Sequence, residues 1–172
     1  MPKAKTTDAI ALLKADHRKV EGLFADYEKA RGSDRKATLA KQICLELIVH
    51  SKIEEDVFYP ACREEGVDED LMDEAYVEHD GAKVLIAEIE NGEPDDDYFD
   101  AKVKVLSEMI KHHVKEEEKK QGNMFAKAKK AGVDVKALGE RMAEEKKTLL
   151  AQFKSQGLPK PPTQTFTGTQ LA

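Results

Sequence analysis

The sequence predicts an all-α protein: an up-down-up-down four-helix bundle with an additional C-terminal helix and a disordered tail. Three observations predict it. Apolar residues recur at alternating steps of three and four along four long segments, the spacing that lays one stripe down a helix. No segment shows the apolar–polar alternation of a half-buried strand. Residues that stop or start helices cluster at three places between the segments.

The first stripe is Ile10, Leu13, His17, Val20, Phe24 and Tyr27. After the turn Gly32-Ser33-Asp34, the second runs Leu39, Ile43, Leu47, His50, Glu54, Val57 and Ala61. Gly66-Val67-Asp68 then leads to Met72, Ala75 or Tyr76, His79, Ala82, Ile86 and Ile89. Asn91-Gly92-Glu93-Pro94 precedes the fourth stripe, Phe99, Val103, Leu106, Ile110, His113 and Glu117. The bundle is assigned to residues 1–132, with Lys127-Ala128-Lys129-Lys130 as a cationic helix end and Gly132 as its stop.

Residues 133–154 form an accessory amphipathic helix on Val135, Leu138, Met142, Leu149 and Phe153, its pattern broken in the middle by Glu144-Glu145-Lys146-Lys147. It is expected to pack outside the bundle or against a second subunit, which leaves a monomer or a homodimer. Residues 155–172 carry Gly157, Pro159, Pro161, Pro162 and interspersed threonines, the composition of a disordered tail.

Four of the five histidines stand on the stripes, one per bundle helix, and Glu54 and Glu117 follow His50 and His113 by four residues. On a helix, residues four apart share a face, so each pair offers an imidazole nitrogen and a carboxylate to one point in space. Counted from the turns at ~1.5 Å per residue, all four histidines lie roughly 20 to 28 Å from the bundle ends. They therefore converge on one layer of the core.

A single histidine on an apolar stripe is usually a hydrogen-bonded core residue. Two buried glutamates are different, because an unpaired carboxylate in a core is costly and no lysine or arginine stands on the stripes to compensate it. A metal cluster supplies the missing positive charge. Six imidazole and carboxylate ligands exceed the four of a structural zinc site and include no thiolate, so two adjacent ions fit better than one. Glu54 and Glu117 are the natural bridges, with His17, His50, His79 and His113 as terminal ligands and water or an oxo group completing the set. Such ligands with open positions suit iron that reacts with small oxidants, with zinc and manganese as other occupants.

The Glu-x-x-His pattern of ferritin-like bundles is absent, since Lys14, Leu47, Tyr76, Met109 and Ile110 stand three residues before the histidines. Tyr76 lies one turn before His79 and is a candidate extra ligand or hydrogen-bond donor. Glu21 and His112 fall one residue off the stripes and, with Glu78 and Glu116, are candidates to orient ligands from behind.

A formal net charge of −6 opposes nucleic-acid binding, which needs a basic surface. The start Met1-Pro2-Lys3-Ala4-Lys5 lacks the apolar stretch of a signal peptide and no run is long enough to span a bilayer, so no membrane is expected and the location read from the sequence is cytoplasmic. Cys44 and Cys62 are ~27 Å apart on one predicted helix, too far for a mutual disulfide.

The order His17, then His50-Ser51-Lys52-Ile53-Glu54, then His79, then His113-Val114-Lys115-Glu116-Glu117 resembles the hemerythrin-like, or HHE cation-binding, proteins. The flanks Asp16-His17, Glu54-Glu55-Asp56-Val57-Phe58-Tyr59-Pro60, Glu78-His79-Asp80 and His112-His113 agree, and the resemblance spans roughly residues 6 to 132. It implies a non-haem di-iron site, carboxylate-bridged and oxo- or hydroxo-bridged, in a four-helix bundle. Oxygen-carrying hemerythrins are similar but have an additional histidine in the third helix, where Lys83 stands four residues after His79. That departure disfavours simple reversible oxygen carriage. The expected function is to bind or sense dioxygen, nitric oxide or peroxide; the alternatives are a di-iron enzyme decomposing peroxide, catalase-like or peroxidase-like, and an iron-storing or structural module. No catalytic residue is assigned.

Overall fold

Four antiparallel rods surround one core in a computed structural model that describes residues 8–160 and 162–167. Helix α1 spans Ala9–Lys29, and α2 spans Ser33–Ile53. The second rod continues through a π-helical segment, Glu54–Phe58, into α3, Tyr59–Glu64. Helix α4 is Glu69–Glu90, and α5 is Phe99–Val114, prolonged by a second π-helical segment, Lys115–Lys119. The short α6, Met124–Ala131, and the long α7, Val135–Gln156, complete the chain.

The elements begin and end where local chemistry dictates. Asp8, Asn123 and Asp134 cap their helices by accepting from the backbone N–H three residues on, at 2.8, 2.9 and 3.0 Å. Gly132 stops α6 in the left-handed conformation, φ 95°, which a side chain resists. The predicted stripes face inward: Leu13, Leu39, Ile43, Met72, Ile86 and Leu106 are fully buried. No helix among the described residues is long and apolar enough to cross a membrane.

Helix α7 settles on its own bundle, against α1 and α2, through Met142, Leu149 and Phe153. The polar run Glu144–Lys147 interrupts its apolar pattern without breaking the helix. Among the described residues beyond it, 157–160 and 162–167, there is no helix or strand, and the segment is tied down at one point. The backbone N–H groups of Gln164 and Thr165 and the Thr165 hydroxyl all donate to Oδ2 of the buried Asp80, at 2.8, 2.6 and 2.7 Å.

Each π-helical segment contains one of the two glutamates of the histidine layer, Glu54 at the start of the first and Glu117 in the middle of the second. In the first, the Tyr59 N–H bonds back to the Glu54 carbonyl, and in the second Lys120 bonds to Lys115 at 2.8 Å, each five residues back. A π turn inserts one residue into the helical register, so the side chain five positions on returns to the face that the fourth would hold. Tyr59 is thereby brought over Glu54.

Candidate metal centre

The structure brings His17, His50, His79, His113, Glu54 and Glu117 into one layer. The Nε2 atoms of His17 and His50 lie 3.2 Å apart, as do those of His79 and His113. Oε2 of Glu54 lies 3.3 Å from His50 Nε2 and 3.2 Å from His79 Nε2, so this carboxylate stands between the two histidine pairs. Glu117 does the same from the opposite helix, with Oε2 3.3 Å from His17 Nε2 and Oε1 3.4 Å from His113 Nε2. All six side chains are at most 6% exposed.

The donor set fits a pair of metal ions. Adjacent ligands at ~2.1 Å from an ion are about 3 Å apart, close to the separations observed. Ligand atoms of His17, His50, Glu54 and Glu117 form one group within 4.8 Å, those of Glu54, His79 and His113 another, and Glu54 belongs to both. Glu54 Oε1 and Glu117 Oε2 are buried without a hydrogen-bond partner among the described residues. Oxygen atoms left so are expensive unless a cation meets them.

Protons take the cation's place when no metal is bound. Burial works against charge on His50, but the Glu54 and Asp16 carboxylates outweigh it and lift the imidazole to about 10. His113 is likewise raised, against burial, by Glu117, Glu54 and Glu78. Glu54 is held well below the usual carboxylate range by the histidines around it, although burial alone would raise it.

Behind the layer lies a ring of carboxylates. Asp16 Oδ2 is 3.4 Å from Nδ1 of His50, Glu55 Oε1 2.9 Å from Nδ1 of His79, and Glu78 Oε2 2.7 Å from Nδ1 of His113. Glu118 stands 3.7 Å from Nδ1 of His17, beyond hydrogen-bond reach. A carboxylate beside Nδ1 keeps the proton there and leaves the Nε2 lone pair for a metal, the usual arrangement behind ligating histidines.

The ring has a simple origin. Each of these acids is the sequence neighbour of a layer residue, and one step along a helix turns a side chain about 100° sideways, toward the adjoining rod. Asp16, beside His17 on α1, serves α2; Glu55, beside Glu54, serves α4; Glu78, beside His79, serves α5; Glu118, beside Glu117, faces α1. The pairs Asp16-His17, Glu54-Glu55, Glu78-His79 and Glu117-Glu118 carried this signal, but only Glu78 among the four acids was a candidate from sequence.

The other candidates are placed elsewhere. Tyr76 is half-buried, packs edge-on against the Tyr59 ring at 5.4 Å and lies under the Arg63 guanidinium; it makes no hydrogen bond to the layer among the described residues. The hydroxyl expected of Tyr76 comes instead from Tyr59, fully buried, which donates to Glu117 Oε1 at 2.9 Å and lies 3.3 Å from Glu54 Oε2. Sequence periodicity missed Tyr59 because in an unbroken α-helix it would point away from Glu54.

Glu21 is spent on Arg18 and Lys119, and Glu116 on Lys120. His112 is exposed and reaches the layer only through Glu78, 3.1 Å from its Nε2. Lys83, at the position of the missing histidine, is buried and pairs with Glu55 at 2.8 Å, so its charge supports the acid behind His79. Cys44 and Cys62 are free and buried, and Cys62 is pushed up to about 12 by burial and then by Glu117 and Glu54, which keeps it a thiol.

Fold and layer together define a helical-bundle metal-binding protein. The model of the hemerythrin HHE cation binding domain matches residues 8–125, and the chain belongs to that family. It is similar in fold to the crystal structure of a hemerythrin HHE cation binding domain-containing protein, an Rv2633c homolog, from Mycobacterium kansasii. The TM-score is 0.67 at 17% identity, covering 88% of this chain and 94% of that one. It is also 29% identical over 107 residues to a protein of Nostoc sp. described as a DNA nickase, covering 62% of this chain and 30% of the other.

Proposed function

We propose that the six residues of the layer hold two iron ions, with Glu54 and Glu117 spanning them, and that the centre binds or senses a small oxidant: dioxygen, nitric oxide or peroxide. The observation that carries this reading is a cavity of about 20 Å³ on the side of the layer away from the glutamates. The four histidines wall it on one side, and Val20, Leu47, Ile110 and Val114, with Asp16 and Ser51, line the rest. About 10–15 Å³ suffices for one water molecule, so the space is of a size for a water, a diatomic molecule or peroxide.

Bound iron would supply the redox chemistry. The chain's own part is to hold the ligands, exclude water and keep a proton beside them. Burial, then Glu117 and Glu54, pushes the Tyr59 hydroxyl well above its usual range, so it stays protonated at neutral pH. A second reading is peroxide decomposition at the same centre, with Tyr59 on the glutamate side holding Glu117 and Glu54 in place through its hydroxyl.

Elemental analysis of the purified protein, followed by spectra of the reduced form mixed with each oxidant, tests the proposal. Two irons per chain and a spectral response are expected. One zinc, or no response to any oxidant, would leave a structural metal module. Rapid oxygen release from peroxide would favour the second reading. Nucleic acid is not the proposed partner, because a net charge of −6 repels phosphate.

A further inference from the structure

The four acids behind the histidines are themselves each met by a cationic or hydrogen-bonding side chain farther out. Arg18 donates to Glu118, Lys83 to Glu55, and the His112 ring faces Glu78. In these three cases the outer group comes from the same helix as the histidine being served: Arg18 with His17, Lys83 with His79, His112 with His113. The fourth case breaks the rule. Helix α2 offers Ser51 beside His50, and its hydroxyl is turned to the Leu47 carbonyl, 2.9 Å away. Asp16, the acid serving His50, is met instead by Lys146 of α7, 130 residues along the chain.

We infer that Lys146 is a positioning residue of the metal centre, and that α7, outside the segment matched by the family model, completes the frame around His50. The inference rests on the metal reading proposed above. Asp16 divides its two oxygens, Oδ2 toward His50 Nδ1 at 3.4 Å and Oδ1 toward Lys146. Its side chain is 8% exposed and that of Lys146 19%, so water competes weakly for either contact.

Without the lysine, Asp16 loses the contact that fixes its Oδ1 and is free to swing from the imidazole, and His50 loses its orientation. The Glu144–Lys147 run that interrupts the apolar pattern of α7 thus has a use. It delivers a lysine to the one acid that no bundle helix supplies with a partner.

The experiment uses full-length protein loaded with cobalt(II), whose visible absorption reports ligand geometry, and follows cobalt release to a chelator well below the melting temperature. Lys146→Met is expected to release cobalt about tenfold faster, with a changed visible spectrum, and Lys146→Arg to restore both. Leu149→Ala is the control, since it loosens the packing of α7 without touching Asp16. It should lower the melting temperature and leave spectrum and release rate as they are.

Release from Lys146→Met at the natural rate, or the same acceleration in Leu149→Ala, overturns the inference. Should Lys146→Met fail to fold, Lys146→Gln carries the same comparison. Failure of the natural protein to take up cobalt defeats the metal reading itself and this inference with it.

Discussion

Glu54→Ala is expected to strip the protein of metal at both positions, the largest effect of any single change. Oε2 of this residue stands within 3.3 Å of one histidine from each pair, and its ligand atoms are common to both groups. Changes behind a ligand cost 10–100-fold in metal affinity, so loss of a shared ligand should exceed about a hundredfold. The metal-free protein should suffer as well. Removing one partner of a buried charged group costs up to about 3–5 kcal/mol, here lessened because His50 keeps Asp16 and His113 keeps Glu117 and Glu78. Metal analysis with a chelator competition and a denaturant titration of the metal-free form measure the two effects; full metal retention would remove Glu54 from the ligand set.

The second large effect couples metal to pH. The raised value of His50 contributes stability that is fully present below its unfolded value of 6.5 and is lost as pH rises through about 10. Glu54 works in the opposite sense: its contribution is present above 4.5 and lost as pH falls through its depressed folded value. The metal-free protein therefore weakens from pH 6.5 toward 10. Metal binding strengthens over the same interval, because each ion must displace protons from the nitrogens it takes.

The gain in melting temperature on adding metal should accordingly grow between pH 6 and pH 9. At a thousandfold excess over the dissociation constant the gain is about 4 kcal/mol, or roughly 8–16 °C for a chain of this size. Thermal melts with metal and with chelator at the two pH values measure it. An increment that shrinks with rising pH would mean that metal does not replace the protons of this layer.

Much of this was legible without coordinates, because it depends on local periodicity. A stripe at steps of three and four sets which face of a helix is buried, and turn residues set where each helix begins, so face and height together place His17, His50, His79 and His113 in one layer. Glu54 and Glu117 follow because an α-helix stacks the fourth residue over the first. Tyr59 escaped the same logic: the π turn after Glu54 changes the register by one residue, and nothing in Glu54–Phe58 announces it. Tyr76 stands one turn before His79 on an ideal helix, but it is the Tyr59 hydroxyl that reaches Glu117 and Glu54.

The sequence by itself thus determined the bundle, the level of the layer and the six side chains that meet in it, all consequences of hydrogen bonding and side-chain spacing within single helices. Only the tertiary structure decided what stands behind those donors. Which acid serves which histidine depends on the order of the rods around the core. That Lys146 reaches Asp16, and Thr165 reaches Asp80, depends on where the C-terminal helix and tail come to rest. These contacts join residues 85 to 130 positions apart, whose meeting is set by packing across helices and leaves no periodic trace along the chain.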